Sequence, residues 1–210
     1  MKLLTPVHWS WSALLLWLVL ALPVSADVRL LVLGDSLSAG YGLDAGRAWV
    51  DQLTLSPQHD GDTVTVLNAS ISGETTAGGL SRLPTLLARH TPTHVLIALG
   101  ANDGLRGLPL AAMRDNLRAM IALVREQGAQ PLYAGIELPR NYGGPFIRAF
   151  RATQDQVAQD TEVPYLPFFL APVALDTQLF QADGLHPTEA AQPLLAAYIG
   201  EWIQSVLDAK

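Results

Sequence analysis

Five short apolar runs recur along the chain, at Val28 to Leu33, Thr63 to Leu67, His94 to Leu99, Pro131 to Ile136 and Val163 to Pro167. Runs this short and this continuously apolar suit strands that are buried on both faces. Between them lie segments in which apolar residues return every three or four positions. These are Leu80 to Arg89, Leu110 to Gln127 (with Met113, Leu117, Met120, Ile121 and Val124), Phe146 to Gln159, and Ala190 to Leu207. Such spacing lays an apolar stripe along a helix. Strand and helix therefore alternate, which predicts a parallel sheet with helices on both faces, since each parallel connection must cross over the sheet. In sheets of this kind ligands bind at the carboxyl ends of the strands. No repeat or linker interrupts residues 27–210, which read as one domain.

The N-terminus follows a different pattern. Lys2 precedes an unbroken apolar stretch from Ala13 to Leu22, and Val24-Ser25-Ala26 places small residues before the charged Asp27. This is the layout of a secretory signal cleaved after Ala26. The other reading, an uncleaved anchor, wants about 20 apolar residues, and the run is shorter and meets Pro23. Cleavage predicts a periplasmic or secreted protein, residues 27–210, with no stable membrane anchor. Lys2 is the only charged residue removed, so the formal net charge moves from -6 to -7.

That acidic balance, with no cluster of Lys and Arg, argues against a nucleic-acid partner. The absence of cysteine excludes disulfides, thiolate metal sites and a cysteine nucleophile. Covalent chemistry would fall to Ser, Thr, Asp, Glu, Lys or His. Nothing in the pattern demands more than a monomer.

Directly after the first strand, Gly34-Asp35-Ser36-Leu37-Ser38-Ala39-Gly40-Tyr41-Gly42 sets a hydroxyl in a glycine-flanked turn. That position suits a nucleophile, and it equally suits a βα turn in which Ser36 caps a helix. Neither the dinucleotide-binding glycine spacing nor a Gly-Lys-Ser/Thr phosphate loop occurs here. A serine nucleophile needs a base. His8 would leave with the signal, and His59 in a polar stretch, His90 at a helix end and His94 at a strand start each have a solvent or capping reading. His186 stands apart: Asp183-Gly184-Leu185-His186-Pro187 places a carboxylate three residues before an imidazole in a turn. An Asp so placed can fold back to fix the ring tautomer, leaving the other nitrogen to take a proton. No companion His or carboxylate cluster suggests a metal. Donors for an oxyanion are offered by the Gly73 backbone in Ser70-Ile71-Ser72-Gly73-Glu74 and the Asn102 side chain in Leu99-Gly100-Ala101-Asn102-Asp103. Taken singly, each is also an ordinary turn former.

The ordered set Gly34-Asp35-Ser36-Leu37, Gly73, Gly100-Ala101-Asn102-Asp103 and Asp183-Gly184-Leu185-His186 resembles the four blocks of the SGNH, or GDSL, hydrolases. Within that family the chain is similar to the periplasmic thioesterase, lysophospholipase and arylesterase group. Asn68 to Gly73, Asn102 to Gly107 and Leu138 to Gly143 carry that likeness. The resemblance implies a flavodoxin-like three-layer α/β/α sandwich with a five-stranded parallel sheet. It also implies a catalytic triad of Ser36, His186 and Asp183, with an oxyanion hole of the Ser36 and Gly73 N–H groups and the Asn102 amide. Ala101 stands where close relatives often have Gly. The Gly-x-Ser-x-Gly elbow of another hydrolase class is absent.

On this basis the expected reaction is hydrolysis of small-molecule acyl esters and thioesters through an acyl-enzyme, without metal or cofactor. The acyl chain is expected between a loop over Asp103 to Leu110, with Leu105 and Leu108, and a loop with Leu138, Pro139 and Tyr142. Two other readings stand beside it: a carbohydrate O-acetyl esterase or acetyltransferase on the same residues, and a non-catalytic binding module that keeps the fold.

Overall fold

The computed structural model describes residues 27–57 and 62–209. The signal, its cleavage point, His8 and His59 therefore lie outside the described residues. The five apolar runs form strands β1 (Val28–Gly34), β2 (Val64–Asn68), β3 (His94–Ala98), β4 (Gln130–Ala134) and β5 (Tyr165–Leu166). They make one parallel sheet in the order β2-β1-β3-β4-β5. This is the flavodoxin-like order, in which connections leave the first strand in one direction and later return past it to the other side. The central strands are the most completely apolar in sequence and the most deeply buried. All five residues of β3 are buried, while β2 at the sheet edge is partly open.

Helices α1 (Ser36–Ala39), α2 (Thr76–His90), α3 (Ala101–Leu105), α4 (Leu110–Glu126), α5 (Gly144–Thr161) and α6 (Gln192–Leu207) complete the α/β fold. α4 packs between α2 and α5, its stripe of Met113, Leu117, Met120, Ile121 and Val124 fully buried. α6 packs instead against the 3-10 turn Trp49–Gln52, where Gln192 Oε1 accepts the Trp49 N–H at 2.9 Å. The sequence pattern finds α4 to within a residue and starts α2 four residues late. Thr76-Ala77-Gly78-Gly79 carries no apolar stripe and two glycines, yet Thr75 caps this first turn by accepting Gly78 N–H. Helices α1 and α3, of four and five residues, are too short to show a period. Both stand at the carboxyl ends of the neighbouring strands β1 and β3, where the direction of strand addition reverses.

Candidate active site

β1 ends at Gly34 and turns at once into α1. A Cβ on Gly34 would lie 2.7 Å from Ser38 Oγ and 2.9 Å from Ser70 Oγ, so only glycine lets the turn run this close to the loop after β2. Asp35 caps α1, its Oδ1 accepting the Leu37 N–H at 3.0 Å, and Ser36 becomes the first helical residue. On the sequence the turn allowed either a capping or a nucleophilic serine; the cap is Asp35, and the Ser36 hydroxyl is left for another partner.

That partner is His186. Its Nε2 lies 2.9 Å from Ser36 Oγ, and its Nδ1 lies 2.6 Å from Asp183 Oδ2. An ionised carboxylate only accepts, so Nδ1 carries a proton and the neutral ring presents Nε2 as acceptor to the serine hydroxyl. Asp183 Oδ1 also accepts the N–H groups of Leu185 at 2.9 Å and His186 at 3.0 Å, which fold the carboxylate back onto the ring. These bonds, the His186 N–H first, hold its pKa down to about 2. The Tyr41 ring lies against the imidazole, with centroids 4.4 Å apart and planes tilted by 38°.

After β3, Gly100 takes φ of +124°, a value side-chain-bearing residues rarely adopt, and turns the chain into α3. This short helix reaches three ways. Asn102 Nδ2 donates to Asp35 Oδ2 at 3.2 Å. Asp103, buried, accepts the Thr76 N–H at 2.9 Å and the Thr76 hydroxyl at 2.6 Å. Arg106, just past the helix, donates from Nη2 to the Gly73 carbonyl at 2.8 Å. The loops after β1, β2 and β3 are thus bound to one another at the carboxyl edge of the sheet. Asp35 is only 2 % exposed, and burial, the dominant cause, pushes its pKa up to about 6.

Ser36, Asn102, His186 and Asp35 share a cavity of about 520 Å³, a size ordinary for small-molecule sites. Of the expected acyl-binding residues, Leu105, Leu138 and Pro139 line it. Leu108 and Tyr142, also expected there, are not among its lining residues. The segment taken as a loop from Asp103 begins inside α3, and Leu108 lies beyond its end, 37 % exposed. Tyr142 instead donates its hydroxyl to the Leu105 carbonyl at 3.1 Å, joining the two walls. Gly73 is likewise outside the lining, its carbonyl bound by Arg106. The sequence reading missed Phe168, Leu170 and Phe180, and also Leu175 and Leu185, which reach solvent. Phe168, Leu170, Leu175 and Phe180 sit between β5 and the Asp183–His186 turn, a stretch without periodicity, and Leu185 sits within that turn. A larger groove of about 610 Å³ between α6 and residues 52–56 holds no histidine.

His94, expected in a solvent or capping role, is buried at 3 % exposure at the start of β3, with Nδ1 2.9 Å from Thr93 Oγ1. His90 ends α2 as expected. Among the described residues no group of three or more His, Asp and Glu side chains is placed to hold a metal.

A hydroxyl, an imidazole and a carboxylate hydrogen-bonded in series beside an apolar cavity are the arrangement used in nucleophilic acyl transfer. Residues 32–193 match the model of the GDSL-like Lipase/Acylhydrolase family. The chain is 43% identical over 189 residues to an arylesterase of Vibrio mimicus, covering 90% of this chain and 94% of that protein. It is 42% identical over 201 residues to thioesterase 1/protease 1/lysophospholipase L1 of Escherichia coli K12, covering 96% and 95%. The crystal structure of the psychrotrophic esterase EstA from Pseudoalteromonas sp., inhibited by monoethylphosphonate, superposes with a TM-score of 0.81 at 40% identity, covering 87% of this chain and all of that one. The chain belongs to the GDSL-like lipase/acylhydrolase family, also called SGNH hydrolases. It is an ester hydrolase.

Proposed function

We propose that the enzyme hydrolyses acyl esters and thioesters of small molecules through a Ser36 acyl-enzyme. Ser36 Oγ attacks the carbonyl carbon while its proton passes to His186 Nε2, and Asp183 steadies the imidazolium that forms. The oxyanion is met by the N–H groups of Ser36 and Gly73 and the Asn102 amide. The C–O or C–S bond breaks, the leaving group takes the proton from His186, and water, deprotonated by the same ring, releases the acid. The acyl chain lies along Leu105, Leu138 and Pro139.

The observation that carries this reading is the series Asp183 Oδ2, His186 Nδ1, His186 Nε2 and Ser36 Oγ, with contacts of 2.6 and 2.9 Å, opening on a largely apolar cavity. The names of the relatives, an arylesterase and a thioesterase/lysophospholipase, support the substrate range. We further assign the activity to a single exported domain, residues 27–210, working in the periplasm or outside the cell as a monomer. No helix among the described residues is long and apolar enough to cross a membrane.

The test is a hydrolysis panel on protein lacking residues 1–26, comparing palmitoyl-CoA, lysophosphatidylcholine and p-nitrophenyl esters, with Ser36→Ala as control. Turnover of long-chain substrates that vanishes in the control is expected. Turnover retained by Ser36→Ala overturns the mechanism, and a preference for acetyl over octanoyl esters points to the O-acetyl esterase reading instead.

A further inference from the structure

Asp35 is a buried acid one residue from the proposed nucleophile, and the reaction as written gives it no task. Its two oxygens are nonetheless both engaged. Oδ1 takes the Leu37 N–H at 3.0 Å and Oδ2 takes Asn102 Nδ2 at 3.2 Å, across 67 residues of sequence. A primary amide has two N–H bonds. With one of them held on a fixed carboxylate oxygen, the amide plane is set and the second is left to the cavity that Asn102 and Asp35 both line. We propose that Asp35 is a positioning residue that aims the Asn102 amide at the developing oxyanion. The inference rests on the oxyanion role assigned to Asn102 above.

Burial opposes a charged carboxylate here, and the two hydrogen bonds that Asp35 accepts favour one. The charged and titratable groups that act on Asp35 are His186, from the turn bearing the proposed base, and Asp103, from α3. When protonated, His186 favours the ionised form of Asp35, and Asp103 opposes it. The Leu37 N–H and the Asn102 amide offset part of the burial. Capping alone would need one oxygen, since Asn and Ser serve that purpose about as well as Asp. The second oxygen has Asn102 as its partner, and an Asn at position 35 has a single acceptor for two donors.

The experiment is a double-mutant cycle on kcat with a p-nitrophenyl ester, using Asp35→Asn, Asn102→Ala and the double variant. Asn102→Ala is expected to lower kcat by ~10²-fold or more, as removal of an oxyanion donor does. Asp35→Asn is expected to lower kcat by roughly tenfold or more with KM almost unchanged, because an interaction gained only in the transition state is lost. In the Asn102→Ala background the same change should cost less than about threefold. Multiplicative losses would mean that Asp35 merely supports the turn and overturn the proposal. If Asn102→Ala leaves kcat intact, the oxyanion reading and this inference fail together. Should Asp35→Asn not fold, the wild-type protein and His186→Ala carry the test by NMR: the Asp35 carboxyl carbon and the Asn102 side-chain amide are expected to titrate with a common midpoint in both. An Asn102 amide that ignores Asp35 ionisation overturns the proposal.

Discussion

The two ends of the same sheet are built from similar polar residues and spend them differently. At the amino end, Arg29 donates from Nε and Nη2 to the Thr91 carbonyl at 2.9 and 2.7 Å, its N–H goes to Thr93 Oγ1 at 2.9 Å, and His94 Nδ1 meets that same hydroxyl. These groups stitch the start of β1 to the turn before β3, and the histidine is sealed inside. At the carboxyl end, Ser36, Asn102 and His186 are fixed just as firmly, but each still faces a cavity. A histidine is therefore informative by its surroundings and not by its presence. His94 serves the fold, whereas His186, locked by Asp183 on one nitrogen, has the other free to work on a hydroxyl.

The largest effect that separates the two ends is the pair of histidine deletions. His186→Ala should lower kcat/KM by ~10³-fold or more, with little change in Tm. His94→Ala should leave kcat/KM within about twofold at temperatures where the protein is folded and cost about 1–3 kcal/mol of stability, as loss of a buried hydrogen-bonded group does. Kinetics and thermal melts on both variants check this, and a folded but inactive His94→Ala protein breaks the comparison.

A second contrast lies within the carboxyl end, between Asp35 and Asp183. The Asp35 pKa is raised in the folded state, so its contribution to stability is full below about pH 4 and is lost as pH rises through about 6. At 1.36 kcal/mol per unit this amounts to about 3 kcal/mol. The Asp183 pKa is lowered, so its contribution is present at neutral pH and lost as pH falls below about 4 towards 2. Unfolding free energies measured from pH 3 to 8 should show the first slope in wild type and not in Asp35→Asn; identical slopes would contradict the burial assigned to Asp35.

The cavity walls give a smaller effect. Leu138→Asp should reduce the ratio of octanoyl to acetyl turnover by roughly tenfold, in the range an apolar pocket discriminates, while Leu108→Asp, outside the cavity, should change it less than about twofold. Equal responses would mean that the wall has been misassigned. The least effect belongs to Arg29→Ala at the amino end, about 1 kcal/mol of stability with unchanged kcat.

Much of this difference was legible in the chain because the two ends differ in local chemistry. Glycine-bounded turns after β1, β2 and β3 and the Asp183-Gly184-Leu185-His186 block mark the carboxyl end, and each keeps its meaning over a few residues. The strands were legible because β1, β3 and β4 are buried on both faces and so read as unbroken apolar runs. Other features depend on distance. Nothing local tells that Asp35 will meet Asn102, or that Asp103 will face inward to Thr76 while its neighbour faces the cavity. Phe168, Leu170, Leu175, Phe180 and Leu185 form a wall only because an irregular stretch folds back over the site, and irregular backbone carries no period to read. Tyr142 was expected in the wall for its apolar ring, and its hydroxyl instead binds the Leu105 carbonyl behind it.

The most direct measurement is peptide mapping by mass spectrometry after reaction with an alkyl phosphonate ester that modifies activated serines. One adduct per chain is expected, on the peptide carrying Ser36, formed in step with loss of esterase activity and absent from His186→Ala protein on the same timescale. An adduct on another residue, or full inactivation with Ser36 unmodified, would contradict a Ser36 nucleophile driven by His186.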